Sequence, residues 1–427
     1  MTLKKILSVI LATTMIMCSV PVIGASAEGL SVETALETAP SLSGTTLVFP
    51  EADDGSVISL FGSDNKQVIA LDGTVYTPLV DNTVNLILKA EKDAVVTQGT
   101  KNVSVTVPGL YQKEEGDNEK PQTLPSIQEW KGHNGHFTLS DESKIVYSDD
   151  SLAKKASQIK IFFEKMLGIS VSTEFGTQAD SGDILLMLDS SRFAELGDEG
   201  YYVEIADNVT ITAPTELGIL YGGTTMTQIM QTSASKNTAP KGLIRDYPAY
   251  EVRSVMIDIA RPQYTLEFLK DFGLYASYYK LNELHLHLNE GHIKVQSEVY
   301  DWLNSSLAYD KDEYISMEDE LLEYGVYILN EVDTPGHSDG FKGNTSDIPM
   351  YDSGHLDVTT DENRQKVEIG IKRLYDEFLL GSWTDEEGIE QTSEHGPIVK
   401  NGEFHVGMDE YFIKTTETDE EFAPKWA

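Results

Sequence analysis

Two acidic residues side by side, Asp409 and Glu410, close the stretch NGEFHVGMDEY, and two other polar motifs precede them, HLHLNEG at 285–291 and EVDTPGH at 331–337. Carboxylates and imidazoles are the groups that most often exchange protons in catalysis, so acid–base chemistry could be assembled from these three motifs. The Asp-Glu dipeptide alone carries no weight. It occurs nine times in a chain with 70 acidic residues, and most copies must be solvated surface. Position has to distinguish this copy. The residues before it alternate apolar and polar, the period-two pattern of a strand, which predicts a strand over 403–410 ending in the pair. His285 and His287 alternate with Leu284, Leu286 and Leu288 and so share one strand face. In DTPGH, Pro335 and Gly336 force a turn off a strand and present Asp333 and His337 at its end. A His-x-His pair at a strand end could also chelate zinc, but no His-x-x-x-His helix or further ligand set accompanies it.

Such groups need a framework. From Arg253 the pattern is strand and helix in alternation: RSVMIDIA, TLEFLKDFGLYASYY, LNELHLHLN, EYISMEDELLEY, VYILNEVD, DENRQKVEIGIKRLYDEFL and EFHVGMDE. Four strands alternating with helices predict a parallel sheet. Polar residues gather after each strand: Asp258 and Arg261, then His287 to Glu290, Glu331 to His337, and Asp409-Glu410. A (β/α)8 barrel places catalysis at that end. A doubly wound sheet places its ligands there too, so this pattern leaves both open. Upstream, 123–247 reads as an α+β layer, with strands at KIVYS, ISVSTEF, DILLMLD, YYVEIA and VTITAP and helices over 151–167 and 215–230. Residues 29–110 hold short apolar runs between Gly, Asp and Asn turns and predict a small β-sandwich. The segment 111–122 reads as a charged, proline-ended linker.

Composition narrows the function classes. Lys4 and Lys5, an apolar run and the box ASAEG form a secretory leader, with cleavage expected after Ala27. Secretion is therefore expected, extracellular or cell-surface associated, with no membrane attachment after cleavage. Cys18, the single cysteine, leaves with the leader, so neither a disulfide nor a thiolate metal site is expected. A net charge of −38 argues against nucleic acid or an anionic membrane as partner.

Taken together, the motifs resemble glycoside hydrolase family 20, the β-N-acetylhexosaminidases. RSVMIDIARPQY resembles that family's first barrel strand, YYKLNELHLHLN its second, NEVDTPGHS its third, and FHVGMDE its fourth with the family's Asp-Glu pair. EGYYVEIADNVTITAPTELGILYGGTTMTQIM is similar to the accessory domain. GHLDVT and Tyr411 are similar to the lacto-N-biosidase-like branch. The resemblance covers roughly 123–412. It implies an α/β protein whose C-terminal part, 248–427, is a partial (β/α)8 TIM barrel, preceded by an α+β accessory domain and, outside the resemblance, the N-terminal β-sandwich.

The implied activity is retaining hydrolysis of terminal β-linked N-acetylhexosamine from glycans, in which the substrate's own acetamide oxygen attacks the anomeric carbon. Facing carboxylates in other glycosidases stand about 5–5.5 or 6.5–9.5 Å apart. Neighbours leaving one strand cannot easily flank a sugar ring that way, which agrees with the substrate-assisted route. By resemblance Glu410 is the acid/base and Asp409 orients the acetamide, while His337 positions or polarises the acid. Arg253, Asp333, His287, Asn289 and Glu290 are the implied substrate-binding residues, although the family often has two acidic residues where Asn289 and Glu290 stand. No metal or organic cofactor is implied. Release of a disaccharide is one alternative. The other is an inactive carbohydrate-binding remnant, because the sequence reaches Ala427 soon after Glu410 with room for four of eight strands, so a C-terminally truncated fragment is expected.

Overall fold

The computed structural model describes residues 29–343, 347–408 and 410; the expected leader, Asp409 and Tyr411 lie outside the described residues. Two compact units divide the chain. The first comprises the residues up to Ser63 with Leu71–Thr74 and Asn85–Val105, and the second Asp64–Ala70, Val75–Val84 and Thr106 onward. Among the described residues no helix is long and apolar enough to cross a membrane.

In the N-terminal part of the chain a short helix, α1 (Val32–Glu37), starts where the Ser31 hydroxyl accepts from Thr34 N. Strands β1 (Ser41–Ser43) and β2 (Thr46–Val48) form a hairpin, and β3 (Val57–Ser63), β4 (Asn82–Lys92) and β5 (Val95–Val107) a three-stranded sheet. Val84, Leu86, Leu88 and Ala90 alternate along β4 and are fully buried, giving the sheet one apolar face. The sandwich expected over 29–110 is thus replaced by a three-stranded sheet and a separate hairpin. KQVIALDG, which reads as a strand, closes on itself: Val68 N and Ile69 N both donate to Asn65 O. Local turn bonds there take the backbone groups that a second sheet would need.

The accessory part of the second unit is a mixed sheet of β6 (Glu129–Thr138), β7 (Lys144–Tyr147), β8 (Ser172–Phe175), β9 (Ile184–Leu188), β10 (Tyr201–Ile205), β11 (Val209–Ala213) and β12 (Thr238–Asp246). Their order is β6-β12-β10-β11-β9-β7-β8. Helix α2 (Ala153–Phe162), the single turn α3 (Phe193–Leu196) and helix α4 (Glu216–Thr232) accompany it. A Cβ on Gly222 would lie 2.5 Å from Ile211 of β11, and one on Gly223 2.4 Å from Ile159 of α2. Two consecutive glycines therefore let α4 approach strand and helix at once. The expected linker is not a free tether. Asn118 Nδ2 donates to Gly135 O (2.7 Å), Trp130 Nε1 donates to Asn118 O (3.0 Å), and Asp117 forms a buried ion pair with Lys131. Its polar residues are taken up by β6, which the sequence pattern did not reveal.

The C-terminal part carries β13 (Ser254–Asp258), α5 (Leu266–Tyr278), β14 (Glu283–His287), α6 (Lys311–Glu323), β15 (Tyr327–Glu331), α7 (Asp361–Leu380), an unanticipated hairpin of β16 (Ser382–Thr384) and β17 (Glu390–Thr392), and β18 (Phe404–His405). Threonines cap α5 and α7: the Thr265 hydroxyl accepts from Phe268 N and that of Thr360 from Asn363 N. The sheet order is β13-β14-β15-β18, every pair parallel. Leu284, Leu286, Val326 and Ile328 lie in one cluster with Leu269, Leu321 and Phe378 of the three helices. The fourth strand is shorter than the expected 403–410. It ends at His405, because Gly407 (φ +66°) and Met408 (φ +85°) turn the chain before Glu410.

Accessory side chains complete the helices of the C-terminal part. A helix leaves its last carbonyls without partners. Gln228 Nε2 donates to Tyr278 O at the end of α5 (2.7 Å), and Lys155 Nζ donates to Glu323 O at the end of α6 (2.5 Å). Gln228 also exchanges bonds with Leu124 N and O (2.8 and 2.9 Å). Replacing Gln228 with Leu removes these partners from a buried site and is expected to lower stability by about 2–3 kcal/mol. Urea unfolding checks this as a lower midpoint at unchanged slope.

Candidate active site

One row of side chains crosses the C-terminal edge of the parallel sheet. Asp258 pairs with His287, His287 with Glu331, and Glu331 with His405. Directly paired residues of a parallel ladder share a face, so acid and imidazole alternate along the row. Glu331 is its hub. His285 Nε2 lies 2.6 Å from Oε2, and His287 Nδ1 and His405 Nδ1 each lie 3.5 Å from Oε1. Burial pushes the Glu331 carboxyl up, but hydrogen bonds and charge from His285 and His287 outweigh it and hold the group far below the usual range. For His287 burial favours the neutral ring, yet Glu331, Asp258 and Glu290 together raise its affinity for a proton.

From this row contacts run outward to the Asp-Glu pair. Glu290 Oε1 lies 3.4 Å from His287 Nε2 and 2.8 Å from His337 Nδ1, and it also receives Arg261 Nη2. His337 Nε2 stands 3.6 Å from Glu410 Oε2. Arg261 Nη1 donates to Asp258 Oδ2 (2.7 Å), which in turn holds the Ala260 and Arg261 N–H groups through Oδ1. Arg261 is 55% exposed and Glu410 66%, so both can reach a solute. His337 (φ +45°), Met408 (φ +85°) and Glu410 (φ +50°) all occupy the left-handed region, where non-glycine residues are strained and which clusters at functional sites.

Several expected residues take other places. Arg253 sits before the first residue of β13, at the opposite end of the sheet. Its Nε donates to Lys280 O (2.6 Å) and Nη1 to Tyr250 O (2.7 Å), and Nη2 pairs with Glu199. It ties the start of β13 to the accessory part and lies away from the edge where the expected sugar contact would fall; Arg261, beyond the C-terminal end of the same strand, lies at that edge. Asn289 is fully buried and braces the turn, donating to Asp333 O (2.8 Å) and His337 O (2.9 Å) and accepting from Asp333 N (2.6 Å). Asp333 is fully buried as well and accepts Met408 N (2.7 Å). A Cβ on Gly407 would lie 1.9 Å from its Oδ1. Asp333 thus anchors the turn that carries the chain to Glu410, and contact with a sugar is closed to it as to Asn289. His287 is buried too, with Nε2 against Glu290.

Arg261, Glu331 and His355 were missing from the expected set. Arg261 was legible as the first long cation beyond a strand end. Glu331 was visible at the head of the EVDTPGH motif, but nothing local marked it as the group that faces three imidazoles. His355, in GHLDVT, lies 2.7 Å from Asp352 Oδ1 through Nδ1 and 3.3 Å from the Glu410 carbonyl through Nε2. Two donor sets, His285–Glu331–His405 and His287–Glu331–Asp333, bring their atoms within 4.8 Å of one another. Both share Glu331, whose oxygens already face three imidazoles. The arrangement is one of carboxylate–imidazole pairs, suited to moving or holding a proton at Glu410.

Comparison with known proteins gives matches to two family models, "Glycosyl hydrolase family 20, domain 2" over 120–247 and "Glycosyl hydrolase family 20, catalytic domain" over 250–424. Lacto-N-biosidase of Bifidobacterium bifidum is 26% identical over 304 residues, covering 70% of this chain and 25% of that protein. The β-N-acetylhexosaminidase of Cellulomonas fimi is 27% identical over 210 residues, covering 44% and 41%. The chain therefore spans less than half the length of these relatives. A mutant Streptomyces plicatus β-hexosaminidase in complex with its product GlcNAc superposes with a TM-score of 0.51 at 20% identity, covering 61% of this chain and 58% of that one.

Proposed function

The chain belongs to glycoside hydrolase family 20, and on that premise we propose that it serves retaining, substrate-assisted release of terminal β-linked N-acetylhexosamine from glycans outside the cell. One observation carries this reading: a continuous run of contacts, Glu290–His337–Glu410, at the C-terminal edge of a parallel sheet, with Arg261 beside it. In the proposed reaction Glu410 gives its proton to the glycosidic oxygen as the C1–O bond breaks. The acetamide oxygen of the same sugar closes on C1, forming an oxazolinium-like intermediate. Water then opens that ring at C1 and returns a proton to Glu410, so the anomeric configuration is retained. Asp409, in this reading, orients the acetamide N–H and balances the ring's charge. His337 exchanges charge with Glu410, Glu290 steadies His337, and Arg261 donates to sugar hydroxyls. A neutral glycan also suits the chain's large negative charge, which repels anionic ligands.

A second reading, disaccharide release, is favoured by the place of His355 against the Glu410 backbone, since its segment GHLDVT carries the likeness to the lacto-N-biosidase branch. Incubating the whole protein that carries this chain with chitobiose and with lacto-N-tetraose separates the two. GlcNAc from chitobiose supports the first, and lacto-N-biose from the tetraose alone supports the second. Turnover of neither contradicts both.

A further inference from the structure

Three side-chain nitrogens converge on a single oxygen, Oε1 of Glu290: Arg261 Nη2, His287 Nε2 at 3.4 Å and His337 Nδ1 at 2.8 Å. The two imidazole rings stand edge to face with centroids 6.0 Å apart. At that separation two positive charges repel appreciably in a partly buried site. Whatever holds a proton on His287 therefore weakens the pull of Glu290 on a proton at His337. Glu331 is what faces His287 from the next strand, with His285 and His405 on its other sides. The remaining charged neighbours of His287 are Asp258 on β13, Asp333 beyond β15 and Glu290 on its own loop. His337 faces, besides Glu290, the Arg261 guanidinium 3.4 Å from its Nδ1, and Glu410 and Asp333 at 3.6 and 3.8 Å from its Nε2.

We propose that Glu331 and His287 are positioning residues for the acid: Glu331 keeps a cation at His287, and that cation competes with His337 for Glu290, which sets the charge on His337 and through it the proton on Glu410. The row beneath the mouth then works as an electrostatic floor, and the alternation Asp258–His287–Glu331–His405 is its physical basis. The raised proton affinity of His287 and the depressed carboxyl of Glu331 agree with this geometry. The consequence for Glu410 rests on its reading as the acid; the coupling between the histidines does not, because it belongs to the folded chain with or without turnover.

Titration of 15N-labelled imidazoles by NMR tests the coupling on the chain itself, in the native form and in Glu331→Gln, Glu331→Asp and His287→Gln. With Glu331→Gln the titration midpoint of His287 falls and that of His337 rises, each by about one pH unit, a tenfold change in protonation constant. His287→Gln raises the His337 midpoint in the same direction. Glu331→Asp, which keeps the charge, leaves both near native. His395, paired with Asp312 on α6, stays put in all of them. Opposite movement of two neighbouring histidines is not what loosened packing produces, since loosening relaxes both toward the free value. A His337 midpoint unmoved in the folded variants, or moving down with His287, overturns the proposal. Should Glu331→Gln fail to fold, His287→Gln decides alone.

Discussion

Replacing Glu410 with Gln is expected to lower kcat for a β-linked N-acetylglucosaminide with an alkyl leaving group by about 10²–10⁴, the usual worth of a general acid. The same variant loses far less on an activated aryl glycoside, because a phenolate of low basicity departs without a proton. That leaving-group dependence separates the acid from any residue that merely binds. Glutamine keeps the size of the side chain and its reach toward His337, which stands 3.6 Å from the native carboxylate, so folding is not at issue. Steady-state kinetics on both substrates, with the whole protein that carries this chain, read the result. Equal losses on the two would remove Glu410 from the acid role.

The second large effect is on stability. Lys311 opens α6 and is almost wholly buried. Its Nζ donates to Glu377 Oε1 (2.7 Å), Glu298 Oε1 (2.9 Å) and Ser393 Oγ (3.0 Å). Glu377, fully buried on α7, also accepts from Ser297 Oγ (2.6 Å) and Glu298 N (2.8 Å). One ammonium thus ties α6, α7, the long loop after β14 and the hairpin strand β17's following turn. Lys311→Met leaves two carboxylates facing each other without a cation, and the expected loss is about 3–5 kcal/mol. The pH dependence gives a second check. Burial pushes the Glu298 carboxyl up, but the Ser393 hydroxyl, Glu394 N–H and Lys311 outweigh it and bring it to about 2. A depressed carboxyl stabilises the fold above its unfolded value, near 4.3, and that stabilisation is lost as pH falls toward 2. The native chain should therefore weaken across that window, and the variant should weaken less there, because Ser393 and the Glu394 N–H still hold the carboxyl down once Lys311 is gone. Urea unfolding between pH 3 and 7 measures both. A loss under about 1 kcal/mol, the size of an exposed pair, would contradict the buried-network account.

Local pattern was a good guide wherever local chemistry decides. Thr265 and Thr360 cap helices whose apolar periodicity was plain, and the leucines of HLHLN alternate with histidines as a strand requires. Long-range pairing was not legible. β6 and β12 contain Gly132, Gly135, Pro240 and Gly242, residues that depress strand propensity, and it is their mutual ladder, with β10 on the other side of β12, that makes them strands. The two arginines flanking β13 show a subtler gap. Arg253 and Arg261 are chemically alike, but the direction of a parallel strand puts one beside Glu199 and the other beside Glu290, and catalysis belongs to the C-terminal end. Asp333 read as a mouth residue because DTPGH turns there. Its partner Met408 N lies far along the chain, and no local motif announces a carboxylate buried under a distant turn.

Substrate assistance is the central claim, and the sugar itself provides its most direct test. The measurement is kcat/KM for two β-glycosides that share one leaving group, the first with a 2-acetamido group and the second with a 2-hydroxyl. An intramolecular nucleophile can be worth an effective concentration of about 10⁵–10⁸ M, so the acetamido sugar should be cleaved faster by several orders of magnitude. Comparable rates for the two would mean that the protein supplies the nucleophile, and the roles assigned to Asp409 and Glu410 would fall together.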